Sequence, residues 1–555
     1  MKLANLWNMR LLATIVICSG HLTGNAAALP QRVREAAQQR VDAGEYPALV
    51  IAYVDGDKSE IDAFGKLDGG KAPDADTVFE IGSITKTFTA TLLAQAVQGG
   101  TLKLDQAVAE LLPGFTIPSR AGKKITLLDI ATQYSGLPRL PTNLKPADPE
   151  NPYADYTAAS LKEFLASYTL TRDPGESYEY SNLAFGLLGF ALAQHAGKAY
   201  PDLLAEKILR PLGMTMSGAA MSQTLRAHLA PGHTEDGSPA KNWDFDALAG
   251  AGAIRSTASD MLRYLKANMG ADKTALVQAM KFAQQPRRDI GKDERIGLAW
   301  MTRSDAKGNG VVWHNGGTGG YRSFLGFSAD GKRGVVVLTN IANEADDLGF
   351  AALVDDAPLA PVRKAVKLDA ASLDDYTGDY RLAEHFSINI SRRGGQLFAQ
   401  ATGQGAFPIY PSAPNEFFAR IAGISMSFQR GANGKVSGLV LHQNGDHPAP
   451  KLAADDAAPG SAAQPATPGA TSLSDYTGEY QLAPGVRFSV TIKDGQLYAQ
   501  LTGQAAYPVY AIARDQFRYR VVDAQLDFER DASGKVVALI LHQNGKSPRA
   551  PRIAP

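Results

Sequence analysis

Ser83 and Lys86 stand one helical turn apart in the run Glu80-Ile-Gly-Ser-Ile-Thr-Lys-Thr-Phe-Thr-Ala90. A serine hydroxyl attacks a carbonyl only once something takes its proton. A lysine at i+3 on the same helix face reaches that proton if burial lowers the amine's pKa. The pair is therefore the start of a serine acyl-transfer site. Alone it carries little, because a chain of this length holds roughly two Ser-x-x-Lys matches by chance, each readable as a helix N-cap followed by a surface lysine.

Two further groups could complete the chemistry. Asp173-Pro-Gly-Glu-Ser-Tyr-Glu-Tyr-Ser-Asn182 is a loop emptying into the apolar run Leu183 to Leu192, with Tyr180 and Asn182 at its mouth. A phenol whose pKa is lowered by a neighbouring ammonium can pass protons between nucleophile and leaving group, and an amide can hold Lys86 or a substrate carbonyl. The third group is His314-Asn-Gly-Gly317, after the strand-like Val311 to Trp313. Its small residues let a substrate lie against backbone. Gly316 to Gly320 is not a phosphate loop, since no lysine and helix of the required kind follow.

The elements that must position these groups can be read from the same runs. Val78 to Gly82 is a short apolar approach, and Phe88, Leu92, Leu93, Ala96 and Val97 then repeat at helical spacing until Gly99-Gly100. Ser83 thus falls at a helix N-terminus, where free N–H groups and the helix dipole favour an alkoxide and supply part of an oxyanion hole.

The 555 residues suffice for about three domains, and 45% hydrophobic with 20% charged content is ordinary for globular protein. Zero formal net charge gives no reason to expect nucleic acid or an anionic membrane as partner. At the N-terminus, Lys2 and Arg10, the apolar run Leu11 to Cys18, and Ala26-Ala27-Ala28 read as a secretory signal over residues 1–28, so a periplasmic or secreted protein is expected. The apolar run is too short to span a bilayer. Ile17 is bulky where a lipid-anchor signal at Cys18 wants a small residue. Cleavage after Ala28 removes the chain's one cysteine, leaving no disulfide to form.

A repeat divides the rest. Leu373-Asp-Asp-Tyr-Thr-Gly-Asp-Tyr380 returns as Leu473-Ser-Asp-Tyr-Thr-Gly-Glu-Tyr480, and Leu441-His-Gln-Asn-Gly445 as Leu541-His-Gln-Asn-Gly545. Short alternating stretches broken by Gly, Asn and Asp turns predict an antiparallel β-barrel or sandwich in each copy, at 368–452 and 471–555. Between them, the Ala/Pro/Gly-rich stretch 453–470 reads as a linker. His442 and His542 occupy equivalent places and read as turn-supporting residues. No HExxH, CxxC or clustered His/Asp/Glu pattern occurs, so neither metal nor cofactor is expected.

With Ser83-Ile-Thr-Lys86, Tyr180-Ser-Asn182 and His314-Asn-Gly316 in this order, the chain resembles the serine β-lactamase and penicillin-recognising family. The likeness is to its class C β-lactamase, DD-peptidase, D-aminopeptidase and esterase branch. Ile125 to Pro138 and Ser256-Thr-Ala-Ser-Asp260 also look similar, and the resemblance covers about residues 30 to 355. It implies an α/β (α+β) β-lactamase/transpeptidase-like domain over 29–360, with an antiparallel sheet flanked by helices, followed by two small antiparallel β-barrel domains. It also implies that Ser83 attacks a carbonyl, that Lys86 and Tyr180 serve as base and proton shuttle, and that Asn182 contacts Lys86 and the substrate amide. His314 and Gly316 would bind substrate, and backbone N–H groups of Ser83 and Gly317 would hold the oxyanion. Such an arrangement is worth on the order of 3 kcal/mol per donor.

Two departures matter. Dedicated β-lactamases usually carry Lys where this chain has His314, and a neutral imidazole attracts a carboxylate less than an ammonium does. Gln133 stands where relatives often have His or Tyr. The function expected is an exported serine hydrolase cleaving a β-lactam or a D-amino-acid peptide related to cell-wall stems. A carboxylesterase acting on short acyl esters is the alternative within the class. Outside it stands a non-catalytic penicillin- or peptidoglycan-binding protein whose repeats grip wall polymer; the repeats could instead shape the cleft.

Overall fold

The computed structural model describes residues 28–304, 310–452 and 473–553, apart from interruptions at 363, 384–385, 403–405, 421–423, 444, 484–485, 494–495, 502–506, 520–523, 532 and 543–546. Of the expected signal over residues 1–28, all but Ala28 lies outside the described residues, as do the expected linker 453–470 and part of the expected repeat turns. Among the described residues, no helix is long and apolar enough to cross a membrane.

Ala48–Asp55 shows how the first domain is layered. Val50, Ala52 and Val54 enter one core, while Leu49, Ile51 and Tyr53 enter another. A strand apolar on both sides must be covered on both sides, because successive side chains point to opposite faces. It lies in an antiparallel sheet of eight strands, in the order Lys58–Gly65, Ala48–Asp55, Arg333–Thr339, Arg322–Ser328, Gly310–Gly317, Met301–Ser304, Glu294–Ile296 and Arg288–Gly291. Helices Gln31–Asp42 and Asp346–Leu353 cover one face. The larger core on the other face contains Thr85–Gln98, Asn182–Ala196, Ala258–Met269 and Ala275–Gln284. This is an α/β (α+β) layering, an antiparallel sheet flanked by helices on both faces.

Two of these helices carry the site. Thr85–Gln98 is buried nearly all round over its first ten residues rather than along one stripe. Its interior threonines are tolerated because each finds a backbone partner: Thr87 Oγ1 donates to Ile84 O, Thr91 Oγ1 to Thr87 O and Thr89 Oγ1 to Gly250 O. Asn182–Ala196 begins at Ser181, whose hydroxyl accepts the Ala184 N–H, and ends at Gly197 in the left-handed region. Its Gly189 lets the Ala249–Gly252 turn approach so closely that a Cβ there would stand 2.7 Å from Gly250 Cα.

The C-terminal region holds two barrel-like antiparallel sheets of eight strands each, Gly378–Pro450 and Gly478–Ile553. Each has its own apolar core, with Ile388, Ile390, Leu397 and Phe417 in the first and Phe488, Val490, Leu497 and Phe517 in the second. The first is joined across its seam by a bridge between Tyr380 and Lys451. The second closes through Glu479 with Ile553 and Tyr480 with Arg552. In both, the second tyrosine of the repeated motif donates to the carbonyl of the first, Tyr380 to Tyr376 and Tyr480 to Tyr476. A buried phenol at that place must have an acceptor, and this carbonyl supplies it. The first barrel also touches the first domain, where Arg420 Nη2 donates to Ala43 O at 3.3 Å.

Candidate active site

Ser83 lies in a single 3₁₀ turn, Gly82–Ile84, that leads directly into the helix Thr85–Gln98. Gly82 takes φ +47°, and a Cβ on it would stand 2.6 Å from Gly317 N, so only glycine lets the nucleophile turn lie against the sheet edge. Gly316 is pressed just as hard. A Cβ there would meet Ile81 O at 2.0 Å, and Ser323 Oγ donates to the same carbonyl at 2.9 Å. Gly316 thus faces Ile81 and brings the strand Gly310–Gly317 up to Ser83, while Gly317, one residue on, lines the cleft beside Gly82 and Ser83.

Lys86 is fully buried, with Nζ 2.8 Å from Ser83 Oγ, 2.9 Å from Asn182 Oδ1 and 2.8 Å from Ala251 O. No carboxylate is among these partners. Burial therefore holds the amine well below its usual range, and the Arg139 guanidinium lowers it further. An amine so placed is a proton acceptor for the serine hydroxyl. The Ala251 carbonyl gives Lys86 its third contact, and it is present because Gly189 admits the Ala249–Gly252 turn. The run Ala249-Gly-Ala-Gly252 was the sequence signal of that close backbone approach, and nothing in it pointed to Lys86.

Tyr180 sits with its ring centroid 4.9 Å from Lys86 Nζ and its phenol hydrogen-bonded to Ser83. The expected lowering of this phenol does not occur. Burial raises it, and the bond to Ser83 and the charge of Arg139 offset only part of the rise. Tyr180 keeps its proton in the empty site, so it can relay a proton as a neutral phenol but does not start as a phenolate.

Gln133 positions Tyr180. It is a buried residue at φ +63°, its side-chain Oε1 accepts the Ser181 N–H at 2.8 Å, and its carbonyl accepts the Glu179 N–H at 2.8 Å. The peptide on either side of Tyr180 is thus held by one residue, the physical role that sequence reading left open.

His314 is buried on the site side of its strand, its ring 6.4 Å from that of Tyr180. Asn315 points the opposite way, donating to Asp346 Oδ2 at 2.6 Å. The imidazole is pushed down to about 3, first by burial and then by the charge on Lys86, so it is neutral across the working pH range. Its Nδ1 lies 2.6 Å from Asn315 O. Because a carbonyl only accepts, Nδ1 carries the proton and Nε2 is an acceptor.

Three aromatic residues that the sequence did not single out form the remaining wall. Tyr153, Trp243 and Phe245 line the cleft together with Asn182, Ala251, Gly252 and Thr318. Tyr153 stacks on Phe245 at 4.7 Å and meets Trp243 edge-on at 5.3 Å, and its hydroxyl accepts from Asn182 Nδ2 at 3.4 Å. The Trp243 peptide is clamped from below: its N–H donates to Glu80 Oε1 at 3.1 Å and its carbonyl accepts from Arg255 Nη2 at 2.6 Å. Glu80 and Arg255 are themselves a buried pair at 3.2 Å. In the sequence, scattered aromatics of this kind are indistinguishable from core.

The two repeat histidines lie away from this cleft, each among hydrogen-bonding neighbours of its own barrel. Among the described residues no group of three or more His, Cys, Asp or Glu side chains could hold a metal ion.

Comparison with known proteins places the chain. Residues 33–357 match the family described as Beta-lactamase, and residues 362–456 and 462–549 match a domain of unknown function, DUF3471. The D-alanyl-D-alanine-carboxypeptidase/endopeptidase AmpH of Escherichia coli (strain K12) is 29% identical over 370 residues, covering 61% of this chain and 94% of that protein. Penicillin-binding protein 4 of Amycolatopsis lactamdurans is 27% identical over 301 residues, covering 50% and 76%. The crystal structure of a beta-lactamase/D-alanine carboxypeptidase from Pseudomonas syringae superposes with a TM-score of 0.53 at 22% identity, covering 60% of this chain and all of that one.

Proposed function

Since the chain belongs to the Beta-lactamase family and is a serine hydrolase of that class, we propose that it is an exported enzyme that forms an acyl-enzyme on Ser83. Its substrate in this reading is a β-lactam or a D-amino-acid peptide. The observation that carries the reading is the buried Lys86 amine 2.8 Å from Ser83 Oγ with no carboxylate beside it. Lys86 takes the hydroxyl proton as Oγ bonds to the substrate carbonyl carbon. The carbonyl electrons move to oxygen, which is received by the backbone N–H groups of Ser83, in the turn leading into the helix, and of Gly317, at the end of its strand. As the tetrahedral intermediate collapses, the C–N bond breaks and the leaving nitrogen takes a proton from Tyr180, whose phenolate is reprotonated by the neighbouring Lys86 ammonium. Water then attacks the ester by the same route in reverse and frees Ser83.

Asn182 holds Lys86 in place through Oδ1 and leaves its amide nitrogen directed toward Tyr153 and the cleft. His314 contributes a neutral acceptor. The AmpH likeness supports a D-peptide as substrate, since that protein's name describes a D-alanyl-D-alanine carboxypeptidase. A second reading, a carboxylesterase on short acyl esters, is favoured by one observation: the strand Gly310–Gly317 offers a neutral imidazole where dedicated β-lactamases carry an ammonium. Export to the periplasm or beyond rests on the N-terminal signal pattern. The division into a catalytic unit ending near residue 360 and two barrel units around the 453–470 linker belongs to the same proposal.

Hydrolysis of nitrocefin, a D-alanyl-D-alanine peptide and p-nitrophenyl esters, each with wild type and Ser83→Ala, tests it. Turnover of the first or second that disappears in Ser83→Ala supports the proposal, and turnover of esters alone supports the second reading. Activity unchanged in Ser83→Ala sinks both.

A further inference from the structure

Among the described residues, Arg139 is a cation beside the reacting groups that the mechanism does not use. Its guanidinium lies 5.3 Å from the centroid of the Tyr180 ring, the same ring that Lys86 Nζ approaches at 4.9 Å. Its side chain is exposed, and among the described residues no carboxylate pairs with it. The nearby guanidiniums differ: Arg172 is bound to Glu179, Arg255 to Glu80 and Asp244, and Arg322 lies between Glu235 and Glu344.

The backbone of Arg139 is fixed by hydrogen bonds even though its guanidinium has no ion pair among the described residues. Its carbonyl accepts the N–H groups of Asn182 and Leu183 at 3.0 and 3.3 Å, and the preceding carbonyl of Pro138 accepts Ser181 Oγ at 2.6 Å. Arg139 is thus anchored to the start of the helix that supplies Asn182. Its charge is felt by Tyr153, Tyr178, Tyr180 and Lys86, groups on two sides of the reacting serine. On the opposite wall, His314 Nε2 is an acceptor and repels a carboxylate oxygen as one lone pair repels another.

We infer that Arg139 is the carboxylate-recognising residue of this site, so that the preferred substrate carries a free carboxylate which docks beside Tyr180 rather than on the strand Gly310–Gly317. This rests on the Ser83 hydrolase reading and adds to it the charge of the substrate and the place where that charge is read. A guanidinium fork matches a carboxylate in a bidentate manner, and cation–π contact with Tyr180 holds it without neutralising it. Docking has a second consequence. The positive charge that depresses Lys86 is cancelled once an anion binds Arg139, which makes the amine a stronger base only when such a substrate is present.

The carboxylate could belong to the acyl part or to the leaving part of the substrate, and two matched pairs separate these. Benzylpenicillin against its methyl ester tests the leaving side. p-Nitrophenyl hydrogen glutarate against the corresponding methyl glutarate tests the acyl side, after subtraction of the spontaneous rates. Acylation or turnover is measured on the full chain with wild type, Arg139→Gln and Arg139→Lys, and fluorophosphonate labelling of Ser83 serves as a charge-independent reference. The expected result is a tenfold or larger preference in kcat/KM for the acid of at least one pair. That preference should be carried by KM, weakened by added salt, lost in Arg139→Gln and partly kept in Arg139→Lys. No preference for the acid in either pair, or a preference that survives Arg139→Gln, overturns the inference while fluorophosphonate labelling leaves the serine hydrolase standing. Loss of labelling as well would instead overturn the reading beneath it.

Discussion

Two places in the molecule set a serine hydroxyl against a nitrogen at one distance. Lys86 Nζ lies 2.8 Å from Ser83 Oγ, and on the first barrel His442 Nε2 lies 2.8 Å from Ser427 Oγ, with Asp446 Oδ1 2.7 Å from Nδ1. By distance and residue type the barrel group has the better likeness to a serine–histidine–aspartate relay. Its surroundings say otherwise. Ser427 already donates to Glu416 Oε2 at 2.7 Å, so a carboxylate stands where an electrophile would have to enter. His442 is a third exposed and Asp446 three-quarters exposed, so water competes for every contact. The second barrel exchanges the parts: Asp527 lies 3.2 Å from His542 Nε2, and Ser547 is the hydroxyl at Nδ1. A serine that can change sides of the imidazole is supporting a turn. Ser83 differs in having a desolvated base, a glycine-lined backbone within reach and aromatic walls. Dryness and access to backbone N–H groups, more than the length of one hydrogen bond, separate a nucleophile from a surface serine.

That contrast can be broken or sharpened by substitution. The largest effect is expected at the nucleophile. Ser83→Ala should lower kcat on the order of a million-fold, while Ser427→Ala assayed beside it stays within a factor of two. Equal losses from the two would erase the contrast. Lys86→Met keeps the buried volume and removes the base, and acylation measured by stopped flow should fall on the order of 1,000-fold. Tyr180→Phe, which keeps the ring beside Lys86, should cost about 100-fold, and more for amides than for activated esters, whose leaving group needs no proton.

The pH profile isolates the base. Protonating Lys86 removes the acceptor, so activity falls as pH is lowered through the amine's pKa, and that midpoint lies well below a lysine's ordinary value of about 10.5. His314→Lys adds a positive charge near Lys86, and the acid limb of kcat/KM should move to lower pH. Arg139→Gln removes one, and the limb should move to higher pH. Shifts in the opposite directions would mean that another group sets the limb. The smallest catalytic effect is expected from residues that act only through the backbone. Gln133→Ala leaves the Ser181 N–H without its acceptor, which should cost about 1–3 kcal/mol of stability in urea unfolding of the full chain. His442→Ala should leave turnover within a factor of two.

Much of this was legible in the sequence because the relevant signals are local. Ser83 and Lys86 share a helix turn, the Gly99-Gly100 stop is a local signal, and the 100-residue repeat needs no structure to be seen. Other features lay beyond it because they are made by distant segments meeting. The Ala251 carbonyl reaches Lys86 across 165 residues, and the Trp243 peptide is clamped by Glu80 across 163. The direction of the Tyr180 shift lies beyond the sequence for the same reason. An ammonium nearby in sequence logic lowers a phenol, but the burial that raises it is set by the packing around it. Gly316 reads in sequence as room for substrate, whereas its missing side chain is needed by Ile81.

The most direct test of the account is the site of covalent labelling. The purified full chain is exposed briefly to a fluorophosphonate and, separately, to a penicillin, and is then digested and sequenced by mass spectrometry beside Ser83→Ala and Ser427→Ala. The account predicts a single fluorophosphonate adduct on the peptide containing Ser83, absent from Ser83→Ala and undiminished in Ser427→Ala, with a penicilloyl group on the same serine if deacylation is slow. An adduct on any other residue, or full labelling that survives Ser83→Ala, would contradict it.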